Sequence, residues 1–369
     1  MKALISTLLL GPALSFAQAA APPLHPAPPI TLPAGPLGPL QLNGVVSLLG
    51  VWQNHPVAGD RGTQSDLANG MVFLQKTSGP VRFYLQAGAY NIPILGAPLL
   101  STGATVRDLF GPVPVAYVTL PLGRHANLEA GVLPTVLGAE DTFTFQNLNV
   151  TRGLLWNQEN DVSRGLQLNA GAGRWSGSLS WNDGFYSNRY TWLTGDVSYA
   201  FNPANSLAIA AGGNLGVTAF RTLATPVQNN SRILDVIYSF TRGPWIVEPY
   251  YQYTVVPASL AAGVAHGAAT SGAALLASYA FARHLSLAGR VEFLASTGSA
   301  AQDSVNLLYG PGSRAWSFTL TPGWQRQRFF ARADLAWVLA GGITPGDAFG
   351  PAGAVPNQVR ATAEIGLLF

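Results

Sequence analysis

The chain contains no cysteine in 369 residues, which excludes disulfide staples and metal sites built on thiolates. Charge is also scarce. Asp, Glu, Lys and Arg together make up 10%, against about a quarter in an average globular chain. Beyond the first twenty residues no apolar run reaches the roughly 18 residues of a membrane-crossing helix. Basic runs are missing and the formal net charge is only +3, so nothing here is built to grip nucleic acid. A chain with 48% hydrophobic residues and so few charges has too little polar surface to face water on every side.

What is present starts with an export signal. Lys2 precedes the apolar run "ALISTLLLGPALSFA" and the small-residue stretch "AQAAAPP". That order predicts a secretory signal peptide over residues 1–19, cleaved near Ala17 or Ala19. Residues 20–40 are proline-rich and are expected to form an extended periplasmic linker.

From Gln41 to Phe369 the chain breaks into runs of about ten residues with alternating character. Strands are expected near 41–52, 69–76, 81–90, 112–121, 125–134, 162–171, 174–184 and 190–201. The second half adds 205–213, 231–240, 243–254, 272–281, 284–296, 314–323, 327–338 and 358–369, about sixteen in all. In "RFFARADLAWVL" the face of Phe329, Leu335 and Trp337 is free of charge, while Arg328, Arg332 and Asp334 share the other. In "QVRATAEIGLLF", Ile365, Leu367 and Phe369 oppose Arg360 and Glu364 in the same way. An Arg or Lys on the lipid face at mid-bilayer costs about 2–4 kcal/mol, so the charge-free face is expected to point outward.

Connections alternate between short ("SGP", "LGR", "NPA", "TR", "AR") and long, with long members near 53–68, 91–111, 135–161, 214–230, 255–271, 297–313 and 339–357. Transmembrane barrels have brief periplasmic turns and longer external loops, so this asymmetry fixes the expected orientation. Aromatics gather at strand ends. Trp175, Phe201, Phe240, Trp245, Phe281 and Trp324 lie near the short turns, and Trp52, Tyr90, Trp181, Tyr253 and Trp337 near the long loops. Such rings favour the two membrane interfaces. The fold class expected is all-β, a transmembrane antiparallel β-barrel with an outward lipid face.

The stretch "GVLPTVLGAEDTFTFQNLNVTRGLLWNQENDVSRGLQLN" resembles the signature of the OmpL-like β-barrel porins of the Gram-negative outer membrane, most closely over residues 131–169. The resemblance implies an integral outer-membrane channel; a terminal aromatic, Phe369 here, resembles the signal that barrel-assembly machinery recognises. In general porins the third external loop folds inward and narrows the lumen. Here it would bring Glu140, Asp141, Gln146, Asn147, Asn149, Arg152, Trp156, Asn157, Glu159 and Asp161 to a constriction. Arg82, Arg290, Arg328, Arg332 and Arg360 would line one side of the lumen, facing Glu129, Asp196, Asp235 and Glu248 across it. Among these, Arg82, Glu140, Asp141, Arg152, Glu159, Arg290, Arg332 and Arg360 are the candidate pore-lining residues, with a weak preference for anions expected from the arginines.

Catalysis finds little support. Five scattered histidines, His25, His55, His125, His266 and His284, form no H-E-x-x-H, and no G-x-S-x-G occurs. His55 near Asp60 is the nearest thing to an acid–base pair. The expected function is passive diffusion of small hydrophilic solutes without a cofactor, with outer-membrane lipid as the surrounding partner. A structural or adhesive barrel with a filled lumen is the alternative, and a hydrolase a more distant one. Monomer and homo-oligomer both remain open.

Overall fold

In the computed structural model, residues 24–219 and 227–369 are described. The signal peptide expected over residues 1–19, with cleavage expected near Ala17 or Ala19, falls outside them. A short strand β1 (Ile30–Pro33) precedes the barrel. The first eight barrel strands are β2 (Pro39–Gln53), β3 (Thr63–Lys76), β4 (Arg82–Tyr90), β5 (Val115–Pro121), β6 (Ala126–Pro134), β7 (Val162–Ala172), β8 (Trp175–Asn182) and β9 (Trp192–Asn202). The other eight are β10 (Asn205–Asn214), β11 (Arg232–Arg242), β12 (Trp245–Val256), β13 (Ala268–Ala282), β14 (Leu285–Ser296), β15 (Arg314–Arg326), β16 (Phe329–Gly341) and β17 (Asn357–Leu368). Each pairs antiparallel with its sequence neighbours, and β17 returns to β2 with a ladder running from Arg360↔Gln53 to Leu368↔Val45. The sheet is therefore a closed barrel of sixteen strands plus β1, with no open edge among β2–β17.

Alternation decides which side meets lipid. Leu335 is 58% exposed and Ile365 57%, whereas Arg332 and Arg360 between them in register are 4% and 1%. Exposed aromatics ring both ends: Trp175, Trp245, Phe281 and Phe329 at the short turns, Trp52, Trp181, Trp316 and Trp337 toward the long loops. Tyr90 is an exception to the expected girdle. The parity of β4 turns it inward, where it is fully buried and meets the edge of Phe143 at 5.2 Å. Arg328 likewise leaves the expected lumen set, because β16 begins at Phe329, two residues later than expected, and Arg328 sits exposed in the turn.

Strand β3 starts six residues earlier than alternation predicts. A bulge at Ala68 accounts for the difference: Ser47 pairs with Asn69 while Leu48 pairs with Leu67, so the parity of 63–67 is reversed relative to 69–76. A single period therefore cannot run through both halves of that strand.

Part of the proline-rich segment is docked instead of hanging as a free linker. Ile30–Pro33 pairs with Pro39–Leu42 as a hairpin, and the His25 backbone exchanges two hydrogen bonds of 2.7 Å with the Gln325 side chain. Leu24 is buried with Val45, Phe73, Phe330 and Leu368. At the same end Phe369 and Gly44 exchange both backbone hydrogen bonds, 2.8 and 2.9 Å. The Phe369 ring occupies the space a Cβ at residue 44 would need, so only glycine fits there.

The outward face yields a direct test. Leu335→Arg is expected to destabilise the barrel in phospholipid vesicles by about 2–4 kcal/mol, measured by denaturant titration. Unchanged stability would place Leu335 away from the lipid core.

Candidate functional site: the loop across the lumen

The connection between β6 and β7, residues 135–161, carries most of the candidate residues. Asn147 organises its first half, accepting from the Asp141 N–H at 2.7 Å and donating to the Asp141 and Phe143 carbonyls at 2.8 Å. Two short 3-10 turns, Thr144–Gln146 and Leu155–Gln158, fold the rest.

The loop's polar groups bind inward-facing side chains of the strands. Arg290 on β14 donates to Glu140 Oε1 at 2.5 Å and to the Thr151 carbonyl at 2.8 Å. Glu292, two residues on, accepts from the Leu154 and Leu155 N–H groups at 3.0 and 3.3 Å and lies 3.1 Å from Arg290 Nε. Asp334 on β16 accepts from the Val150 and Thr151 N–H groups at 3.1 and 2.6 Å. Arg332 donates to the Asn147 and Thr144 carbonyls and to Glu364, at 2.7, 2.9 and 2.5 Å. Glu364 also accepts from Thr144 Oγ1 at 2.7 Å, and Asn149 donates to Thr321 at 2.6 Å. A Cβ at Gly153 would collide with the Glu292 carboxylate, so the close approach there requires glycine.

On the other side of the loop, Glu159 Oε1 accepts from Tyr250 Oη at 2.6 Å and Gln252 Nε2 at 3.0 Å, both on β12. Asp235 on β11 accepts from the Gly138 N–H at 3.1 Å and lies 3.3 Å from the same Tyr250 oxygen. The Tyr250 hydroxyl thus lies between two buried carboxylates and has one proton to offer them.

Apolar packing holds the loop as well. Leu148, Leu154 and Leu155, together with Leu95, Tyr309 and Phe349 from other long loops, pack on inward-facing Ile237, Leu276, Leu294 and Val338. Fully burying Leu154 and Leu155 contributes about 1.5–3 kcal/mol each. An entirely polar inner face is thus not what the chain builds. These inward apolar residues exist because loops cover them.

The structure gathers Glu140, Arg152, Arg290 and Arg332 about the loop, whereas Arg360 and Arg82 lie elsewhere. Arg360 serves a different connection, donating to the Ile94 and Ala97 carbonyls and to Gln53 at 2.6, 3.2 and 2.9 Å. Arg82 is half-buried, in a row with Thr119 and Glu129. Arg152 is wholly buried with Nε and Nη1 unpartnered, and burial pushes its guanidinium down to about 10. His55 and Asp60 do not pair: His55 Nδ1 is 3.1 Å from the Asn357 carbonyl, and Asp60 accepts from Gln53, Gln64 and the Leu99 N–H. Glu292, Asp334 and Glu364 are absent from the candidate pore-lining set. Their role as loop anchors carries no local signal, since the partners lie more than 130 residues away.

Burial raises the loop carboxyls. Asp141 is pushed up to about 6, opposed by Arg152, and Glu159 well above the usual range, with the Asp235 charge adding to desolvation. Groups with raised values favour the docked loop in their protonated form. That stabilisation is complete below the ordinary carboxylate range and is lost as pH climbs through about 6 and beyond. Protease cleavage within 135–161 in the folded protein is therefore expected to be faster at pH 8 than at pH 5, with Glu159→Gln weakening the dependence. Equal cleavage at both pH values in the parent protein would contradict this.

Comparison with known proteins agrees with the architecture. The chain is similar in fold to OmpT of Vibrio cholerae, expressed in the outer membrane, with a TM-score of 0.58 at 11% identity over 92% of this chain and 100% of that one. It is similar to the outer-membrane channel DcaP of Acinetobacter baumannii (0.58, 8% identity, 90% and 97% covered) and to Salmonella typhi OmpF solved with daunomycin (0.60, 13%, 90% and 98%). No curated protein matches the sequence. The family described as "Putative beta-barrel porin-2, OmpL-like" matches residues 39–369. With that match spanning the whole barrel, the chain belongs to the OmpL-like β-barrel porin family and is an integral protein of the outer membrane.

Proposed function

We propose that the protein is a passive diffusion pore for small hydrophilic solutes, without catalysis or cofactor, and that residues 135–161 set its limiting cross-section. The carrying observation is the loop's span across the barrel interior, anchored to β14–β17 on one side and to β11 and β12 on the other. A barrel of sixteen strands is wide enough for an aqueous lumen, and an inward loop narrows it to a size that sorts solutes. Membership in a porin family and the channel-forming fold neighbours support this reading.

A filled lumen is favoured by one observation, the apolar cluster of Leu95, Leu148, Leu154, Tyr309 and Phe349 over β11–β16. That cluster seals one side of the barrel and leaves the β6–β10 side to carry solute. Assembly by the barrel-assembly machinery through Phe369, and association into homo-oligomers, belong to the same proposal.

Liposomes containing the folded protein should swell in small sugars, and deletion of residues 142–156 should raise unitary conductance in planar bilayers. Folded protein that neither swells liposomes nor conducts would overturn the pore.

A further inference from the structure

The lumen arginines suggest an anion path, but burial removes that basis for all except Arg82, which is half-buried in the row of Thr119 and Glu129. Arg152, Arg290, Arg332 and Arg360 are each 4% exposed or less. Their donors are directed at loop carbonyls, at Glu140 and Glu364, and at Gln53. Loop 135–161 and the 91–99 connection sit directly on these guanidiniums, whereas Asp196 (5% exposed) and Glu129 (8%) are hydrogen-bonded only by neighbouring strand groups.

The remaining wall has a different chemistry. The loop's hydrogen bonds to inward strand residues go to β3, β11, β12 and β14–β17. Opposite, at the short-turn end, a cavity of about 480 Å³ lies against β7–β11, lined by Ser176, Ser198, Ser206, Ser239 and Thr241 among others. The inward positions of β6–β9 continue the lining with amides and hydroxyls, in rows such as Asn127, Asn169, Ser178, Asp196. Two carboxylates stand in this wall. Asp196 is held by Ser178 and Ser198, and Glu129 by Thr119 and Asn169. Among the described residues neither forms a salt bridge. The two basic side chains at the cavity, His125 and Arg174, are exposed at its mouth, where water and salt screen them.

From this arrangement we infer that solutes cross along the β6–β10 wall, and that the path takes uncharged polyhydroxylated molecules and small cations in preference to anions. Hydroxyl and amide side chains replace the hydration of a polyol without charge. Uncompensated carboxylates attract cations and repel anions at close range. The inference rests on the diffusion-pore reading above and assigns that pore its substrate class.

Reversal potentials in a potassium chloride gradient across planar bilayers test it, with folding of each variant checked by heat-modifiable gel mobility. The parent protein should select potassium over chloride, and Asp196→Asn and Glu129→Gln should each move the permeability ratio toward unity. A second arm uses cysteine, absent from the native chain. Ser198→Cys should react with a cationic thiosulfonate reagent faster than with an anionic one and lose conductance, while Ser317→Cys, behind the loop, should stay unmodified. Chloride selectivity, an unmoved ratio in Asp196→Asn, or reaction at Ser317→Cys in place of Ser198→Cys would overturn the inference and leave the pore standing. Absence of any conductance from folded protein would instead overturn the pore reading beneath it.

Discussion

Everything in this molecule depends on the ladder between β17 and β2. Inside a bilayer an unpaired backbone N–H or C=O costs several kcal/mol, so a sheet can cross only if its two edges pair with each other. The registers of all sixteen strands add up to that closure, and the backbone exchange between Gly44 and Phe369 completes it at the short-turn rim. Closure also sorts side chains. Once the strand axes are fixed, alternation sends Leu335 and Ile365 to lipid and Arg332 and Arg360 to the interior.

A closed interior of this width has to be filled with something, and the chain fills one side with its own loops. The buried charges make that arrangement specific. Arg290, Arg332, Glu292, Asp334 and Glu364 would be costly alone in the lumen wall, and removing one partner from such a buried set typically costs about 3–5 kcal/mol. They are satisfied by backbone N–H and C=O groups of residues 144–155, groups the loop could not bury without partners. The arginines thus act as a mould for the loop. What is left for solutes is the opposite wall, where small hydroxyl and amide side chains dominate.

The strand rhythm was legible because a lipid-facing strand cannot hide its period. Charge-free parity in "RFFARADLAWVL" and "QVRATAEIGLLF" led directly to the observed faces. The reading slipped at strand starts: the Ala68 bulge hid the first five residues of β3, and β16 starting two residues later than expected moved Arg328 from lumen to turn. It also placed Tyr90 in the girdle on position alone, when the parity of β4 puts it inside. Loop placement was less legible. The glycines and polar residues of 135–161 have no period, and the signal that Ile237, Leu276 and Val338 face inward is masked because both faces are apolar there. The charged residues of the site could be named from sequence. Which of them would be sealed could not, since sealing is a contact between segments far apart in the chain.

The central claim is that residues 135–161 sit fixed against the β14–β17 wall while the pore functions beside them. The Asn149 and Thr321 side chains are 2.6 Å apart at that seam, and the chain has no native cysteine to confuse a crosslink. Asn149→Cys paired with Thr321→Cys, oxidised in the folded protein and recorded in planar bilayers, tests the claim most directly. The disulfide should form, and unitary conductance should be the same before oxidation, after it and after reduction. Failure to crosslink in folded protein, or conductance that changes on oxidation and returns on reduction, would show that the loop leaves the wall and that the path lies where it had been.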